Sequence, residues 1–373
     1  MNSEKTMKNL ILLAPICLLI TACNPVQKQG DGANSKQDSP NVILMIGDGM
    51  GMSQLSSVYY FKEGEVNISR FKHTGFSRTS SATQKITDSG AAGTAMANGV
   101  KTYNGAIGVD VDTNKVENLV KIVSRRNYST GIIATSTLTH ATPASFFAHS
   151  DARGKEDAMA AQMHNSEVDF FAAGGLKHFN KRNDGVNYLD SLMAFGFTVD
   201  TSALITKDEI SADKKYGFLL QNGAMPKKID GRDEFLPNAT SLAIEYFKKI
   251  ESPFFLMVEG SQIDWGGHDN HHEYLVGEMN DFDDAIGVAL DFAEKEGNTT
   301  VVVTADHETG GYTLRSGKNE KGHTDYNVIN PSFSTGGHSA AMVPVLAYGP
   351  NAEVFTGIYE NTEIFQKILN LTK

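Results

Sequence analysis

Residues 41–54 read NVILMIGDGMGMSQ, an apolar run that ends in an acid set among glycines. Positions 41–47 show no polar alternation, so they read as a strand buried on both faces, as in a parallel sheet covered by helices. Asp48 leaves the carboxyl end of that strand, and Gly47, Gly49 and Gly51 let the backbone crowd it. Two readings of Asp48 stand side by side: a cap for the next helix, or a metal ligand.

Working outward, similar short runs occur at 131–135, 254–258, 299–304 and 343–347. Helical patterns fall between them at 90–98, 116–126, 156–164, 239–250, 273–296 and 362–371. This alternation predicts an α/β fold of three layers, a mostly parallel central sheet with helices on both faces. Past the ends of four runs come Asp48, then His140 and Thr142, then Glu259, then Asp306 and His307. Ligands of open α/β sheets sit outside the carboxyl ends of the strands, so these residues are expected to share one site.

The chain has 373 residues, 40% of them hydrophobic, and a formal net charge of −11. That balance argues against a nucleic-acid partner or a general membrane-surface binder, which need a basic face. Lys5 and Lys8 precede an apolar run at 10–20 that is too short to span a bilayer and suits a signal peptide. It closes in LITAC at 19–23, similar to a bacterial lipoprotein signal; a simple cleavable signal is the plainer alternative. The expected organisation is a signal peptide at 1–22, a lipidated Cys23 with a flexible tether over 23–40, and one folded domain over 41–373. The expected location is the periplasm or cell envelope, with membrane attachment only through Cys23. Cys17 and Cys23 are the two cysteines of the chain, so the folded domain does without disulfides.

Further segments carry chemistry. TADHETG at 304–310 sets Asp306 and His307 side by side where a strand stops, and mixed oxygen and nitrogen donors suit zinc. FFLMVEGSQIDWGGHDNHHEY at 254–274 spaces Glu259, Asp264 and His268 among glycines, and reads as a metal-binding loop. His338, in STGGHS at 334–339, offers another imidazole; His271 and His272 open a helix and read as solvated. In TDSGAAGTA at 87–95, Ser89 begins a small-residue helix, where it is either the cap or a nucleophile beside free N–H groups. Arg153 reads as a surface residue unless a phosphate is bound, when its planar fork can hold two oxygens.

TDSGAAGTA, VKTYNGAIGV, THATPASFFAH, EGSQIDWGGHDN, TADHETGG and STGGHS occur in this order between residues 41 and 373. Together they resemble the alkaline phosphatase family, and most of all its compact bacterial members, cold-adapted ones included. The resemblance implies hydrolysis of small phosphate monoesters through a covalent phosphoserine on Ser89. It implies two zinc ions, one on Asp264, His268 and His338 and one on Asp48, Asp306 and His307. It also implies one magnesium on Asp48, Thr142 and Glu259, with His140 and Trp265 beside it. Arg153 would bind the phosphoryl oxygens, Asp88 would orient Arg153, and the enzyme would be a homodimer. Two alternatives are a phosphodiesterase or sulfatase of the same superfamily, and a non-enzymatic surface lipoprotein that binds metal or phosphate. Ser89, Arg153, Thr142 and Glu259 favour the monoesterase.

Overall fold

The structure is a computed structural model and describes residues 39–373. The expected signal peptide, Cys23 and nearly all of the tether lie outside the described residues.

Among those residues the main sheet has ten strands. From one edge they run Gly357–Glu360, His73–Arg78, Val343–Tyr348, Thr299–Thr304, Asn41–Gly47, Phe254–Gly260, Ser129–Thr137, Phe170–Gly174, Lys215–Leu219 and Phe197–Asp200. Val343–Tyr348 runs antiparallel to both its neighbours; the other pairings are parallel. The expectation of a mostly parallel sheet therefore holds.

Asn41–Gly47 explains the layers. Ile43 and Met45 join one core with Leu242 and Phe247 of helix Phe235–Ile250 and Phe282, Ile286 and Leu290 of helix His272–Glu296. Val42, Leu44 and Ile46 point into the opposite core, with Met96, Leu119, Val123, Ile364 and Ile368 from helices on that face. Each such side chain, fully withdrawn from water, contributes about 1.5–3 kcal/mol, so a continuous apolar strand is stable only with both faces covered.

One local reading is corrected, and two open alternatives lose their capping half. The stretch after Glu259 is not a loop, because Gln262–His268 is helical. The helix tolerates Gly266 because the segment presses on its neighbour: a Cβ there would sit 2.7 Å from Leu275 Cα. Ser89 is not a cap either. Asp88 caps helix Ser89–Asn98, accepting from Ala91 N at 3.0 Å, which leaves the Ser89 hydroxyl uncommitted to capping. Nor does Asp48 cap a helix, since Gly51 holds that position before Met52–Phe61.

Candidate metal and phosphate site

The three strand exits at the middle of the sheet bring the acids together. Asp48 follows Asn41–Gly47, Glu259 closes its neighbour on one side, and Asp306 follows its neighbour on the other. Gly49, at φ 75°, takes the turn that L side chains avoid, and a Cβ there would lie 2.7 Å from Asp264 Cα. Its N–H donates to Asp306 Oδ1 at 3.0 Å. His338 returns from far along the chain because His338–Ser339 pairs antiparallel with Glu308–Thr309.

Three groups of donors result. Asp48, Asp306 and His307 form one, Asp264, His307 and His338 a second, and Asp48, His140 and Glu259 a third, with ligand atoms in each within 4.8 Å of one another. His268 adjoins the second, its Nε2 3.4 Å from Asp264 Oδ2 and 3.2 Å from His338 Nε2. The residues assigned from sequence to two zinc sites thus meet in one continuous cluster, with His307 stacked on His338 at 3.5 Å between ring centroids. Thr142 is fully buried and its hydroxyl faces Glu259.

Two observations test whether cations fit. The first is charge. Asp48, Glu259, Asp264 and Asp306 are almost wholly buried, yet Asp48 Oδ1 and Oδ2, Glu259 Oε1 and Asp306 Oδ2 have no hydrogen-bond partner. Burying such groups without a countercharge costs several kcal/mol each. The second is lone-pair direction. His338 Nδ1 lies 2.8 Å from Thr87 O and His268 Nδ1 lies 2.8 Å from Gly336 O. A carbonyl only accepts, so both rings carry hydrogen on Nδ1 and aim their Nε2 lone pairs at the same space. The residues fit divalent cations on both counts.

The titration behaviour agrees. Burial, then the charges of Asp306, Asp264 and Glu259, pushes the Asp48 carboxyl well above its usual range. Burial likewise pushes Glu259 up to about 8 against the hydroxyls that hold it. Asp306 goes the other way: burial opposes its charge, but His307 together with hydrogen bonds from Asp48 and the Gly49 N–H holds it below the usual carboxylate range. Contact with Asp264 outweighs burial at His268 and raises it to about 9, so protons compete with a cation for these donors.

Ser89 Oγ lies at the start of its helix, 1% exposed and 3.2 Å from His307 Nε2. Arg153 Nη1 donates to Asp88 Oδ2 at 3.0 Å and Nη2 to His140 Nε2 at 3.1 Å. A neutral His140 then carries its hydrogen on Nδ1, which is buried and has no hydrogen-bond partner. Its pKa falls to about 4, chiefly through burial and then Arg153. Trp265 meets His140 edge-on, ring centroids 5.9 Å apart. His271 caps its helix by accepting from Tyr274 N, and His272 pairs with the Tyr312 hydroxyl; neither reaches the cluster.

Several residues of this site escape a reading of the sequence. Thr309 Oγ1 donates to Asp264 Oδ1 at 2.5 Å and lies 3.2 Å from His307 Nδ1. Ser261 donates to Glu259, and Glu308 gathers Gln54, Tyr312 N and Ser339 next to His338. Glu308 reads as a structural residue from its place beside the Asp306-His307 pair, whereas nothing in the chain order shows what Thr309 or Ser261 faces.

Comparison with known proteins extends this geometry. A family model described as alkaline phosphatase matches residues 39–328. Alkaline phosphatase 3 of Bacillus subtilis strain 168 is 32% identical, over 90% of this chain and 89% of its own. The structure of alkaline phosphatase from the Antarctic bacterium TAB5 superposes with a TM-score of 0.88 at 52% identity, over 90% of this chain and 98% of its own. A histidine-to-aspartate variant of that enzyme, 53% identical to this chain over 90% of it and 98% of its own with a TM-score of 0.88, has magnesium bound in its M3 site.

Proposed function

The chain belongs to the alkaline phosphatase family and is a metal-dependent phosphomonoester hydrolase, and from this premise we propose that Ser89 is its nucleophile. The observation that carries the proposal is the Ser89 hydroxyl, buried at a helix N-terminus and free of any capping role, on the edge of the acid and histidine cluster. Ser89 gives up its hydroxyl proton as Oγ bonds to phosphorus and the P–O ester bond breaks; the ester oxygen leaves with the bonding pair and takes up a proton to become the alcohol. Water attacks the phosphoserine from the same side that the alcohol left, releasing phosphate and restoring the serine. Arg153, one third exposed, holds two non-bridging oxygens through both steps, and Asp88 keeps its guanidinium plane fixed. The N–H groups that open helix Ser89–Asn98 add positive potential at the same oxygens.

Two zinc ions, on Asp264, His268 and His338 and on Asp48, Asp306 and His307, and one magnesium, on Asp48, Thr142 and Glu259, would supply Lewis-acid charge for both the attacking and the leaving oxygen. His140 and Trp265 shape the magnesium side without donating a lone pair to it.

The test is p-nitrophenyl phosphate hydrolysis from mildly acid to strongly alkaline pH, for wild type and Ser89→Ala, with chelator and with zinc and magnesium restored. Metal-dependent activity that falls by orders of magnitude in Ser89→Ala supports the phosphoserine route. Metal-dependent activity indifferent to that change overturns it. Preference for the bis ester would favour a phosphodiesterase instead.

The segment before the described residues supports export to the cell envelope with a lipid on Cys23; Cys23→Ser should then release the enzyme from membranes. The family resemblance supports a homodimer, which light scattering of the metal-loaded enzyme checks.

A further inference from the structure

Helix Glu156–Met163 begins three residues after Arg153, and its first two side chains meet a histidine that the proposed chemistry does not use. His178 Nδ1 lies 2.6 Å from Asp157 Oδ1, and its Nε2 lies 3.1 Å from Glu156 Oε2. Nδ1 is thus hydrogen-bonded to one carboxylate, while Nε2 lies at ion-pair distance from a second without hydrogen-bond alignment, so two negative charges flank the ring and favour its doubly protonated form. The side chain is 12% exposed, so this charge pair is partly shielded from water. The same Glu156 Oε2 accepts from Thr137 Oγ1 and Thr139 Oγ1, each at 2.7 Å. Thr139 directly precedes His140, whose Nε2 accepts from Arg153.

We propose that His178 is a positioning residue for the phosphate-binding arm: its imidazolium clamps Glu156 and Asp157, and through Glu156 fixes both the chain that follows Arg153 and the turn carrying its contact His140. The proposal rests on the assignment of Arg153 to phosphate. Such a clamp has a charge that pH can remove. Burial opposes the charged ring, but Glu156 and Asp157 outweigh it and raise its pKa. Burial also opposes the Glu156 charge, yet His178, Thr139 and Thr137 hold that carboxyl at about 2. The other groups facing the ring are few. Lys177 beside it opposes its charge, and Arg182, paired with Asp184 and stacked on Tyr188, donates to the carbonyls of His178 and Asp157. A histidine with a raised pKa keeps its clamp below the ordinary histidine range and loses it as pH rises through the raised value. The arm thus loosens in the alkaline direction, where a phosphatase of this family works.

The test compares His178→Gln with wild type, both metal-loaded, reading KM for p-nitrophenyl phosphate and the inhibition constant of inorganic phosphate against pH. Near neutral pH the variant is expected to raise both about tenfold, the scale of one charge-assisted hydrogen bond, with a smaller change in kcat. The ratio of variant to wild type should fall towards one at strongly alkaline pH, where wild type has lost its own clamp. A ratio near one throughout, or a raised ratio that ignores pH, overturns the proposal. Glu156→Gln keeps an acceptor for the two threonines and removes the charge that ties the imidazolium to the arm, leaving Asp157 as its partner, so it should show the same loss of pH-dependent ratio if His178→Gln folds poorly. Arg153→Ala separates the two claims. If it abolishes phosphate inhibition while His178→Gln does nothing, the clamp alone fails; if it leaves phosphate inhibition intact, the arm assignment and the clamp fail together.

Discussion

Two buried acid clusters lie in this fold, and they solve the same electrostatic problem in opposite ways. On helix His272–Glu296, Glu278 and Asp281 are shut away from water, and the chain provides their cations itself. Arg232, also buried, donates to Glu278 at 2.5 and 3.1 Å and to Asp281 at 2.8 Å, while Lys228 lies 3.0 Å from Asp281. At the strand exits the acids outnumber any protein cation. Asp48, Asp264 and Asp306 meet only histidines at ion-pair distance among the described residues, and Glu259 meets hydroxyls. One cluster has its countercharges from folding alone, and the other is built for charge from outside. Removing a charge should therefore hurt the fold in the first and relieve it in the second.

Asp48 is shared by two of the donor groups. Asp48→Asn should lower kcat/KM by at least ~10²–10³-fold, the loss that follows removal of one preorganised electrostatic group. The chelated variant should nevertheless melt above chelated wild type at alkaline pH, because an uncompensated buried charge is gone. A lower melting point would mean that the fold already neutralises Asp48. In the cluster of Glu278 and Asp281 the sign reverses. Arg232→Met strands two buried carboxylates and should destabilise the metal-loaded enzyme by about 3–5 kcal/mol in urea unfolding, with activity per folded molecule retained.

This contrast also marks what the sequence could show. The strand at 41–47 and its acid were legible because a seven-residue apolar run carries its own burial signal, and the same holds for Thr299–Thr304 before Asp306. Strands such as Phe170–Gly174 and Lys215–Leu219 were not, because FFAAG and KYGFL hold no β-branched residue and are diluted by alanine and glycine. The glycines around Asp264 read as loop, whereas they are a helix pressed onto Leu275, a tertiary contact that overrides propensity. Site residues that follow strand ends were readable from chain order. Thr309, His178 and Glu156 were not, since what each touches depends on pairing between segments distant in sequence.

Chelation sharpens the comparison through pH. In the metal-free protein Glu259 sits at about 8 and Asp48 is also raised, chiefly by burial. A carboxyl raised above its unfolded value supports folding below that unfolded value and loses this support as pH rises through the folded one. Chelated enzyme should therefore lose stability from mildly acid pH up to about 8, while bound cations favour the ionised forms and spare the loaded enzyme. The gap in melting temperature between the two should widen by several degrees over that interval, read by scanning calorimetry. A constant gap would mean that the acids share no unmet charge, and the two clusters would then be alike.

The smallest effect asks how finely the open cluster is pre-set. Thr309 has one hydroxyl hydrogen, and at 2.5 Å it goes to Asp264 Oδ1. Its oxygen must then accept from His307 Nδ1, 3.2 Å away, which keeps the His307 hydrogen on Nδ1 and the Nε2 lone pair directed into the donor group. One hydroxyl thereby fixes a ligand in each of two adjacent groups before any cation arrives. Thr309→Val keeps the shape and removes that hydrogen, and should weaken zinc binding about 10–100-fold, measured by competition with a chelating dye, with Thr309→Ser restoring most of it. Zinc affinity unchanged in Thr309→Val would mean that the ions themselves orient His307. The two clusters would then differ in the source of their charge and not in how firmly the chain holds its acceptors.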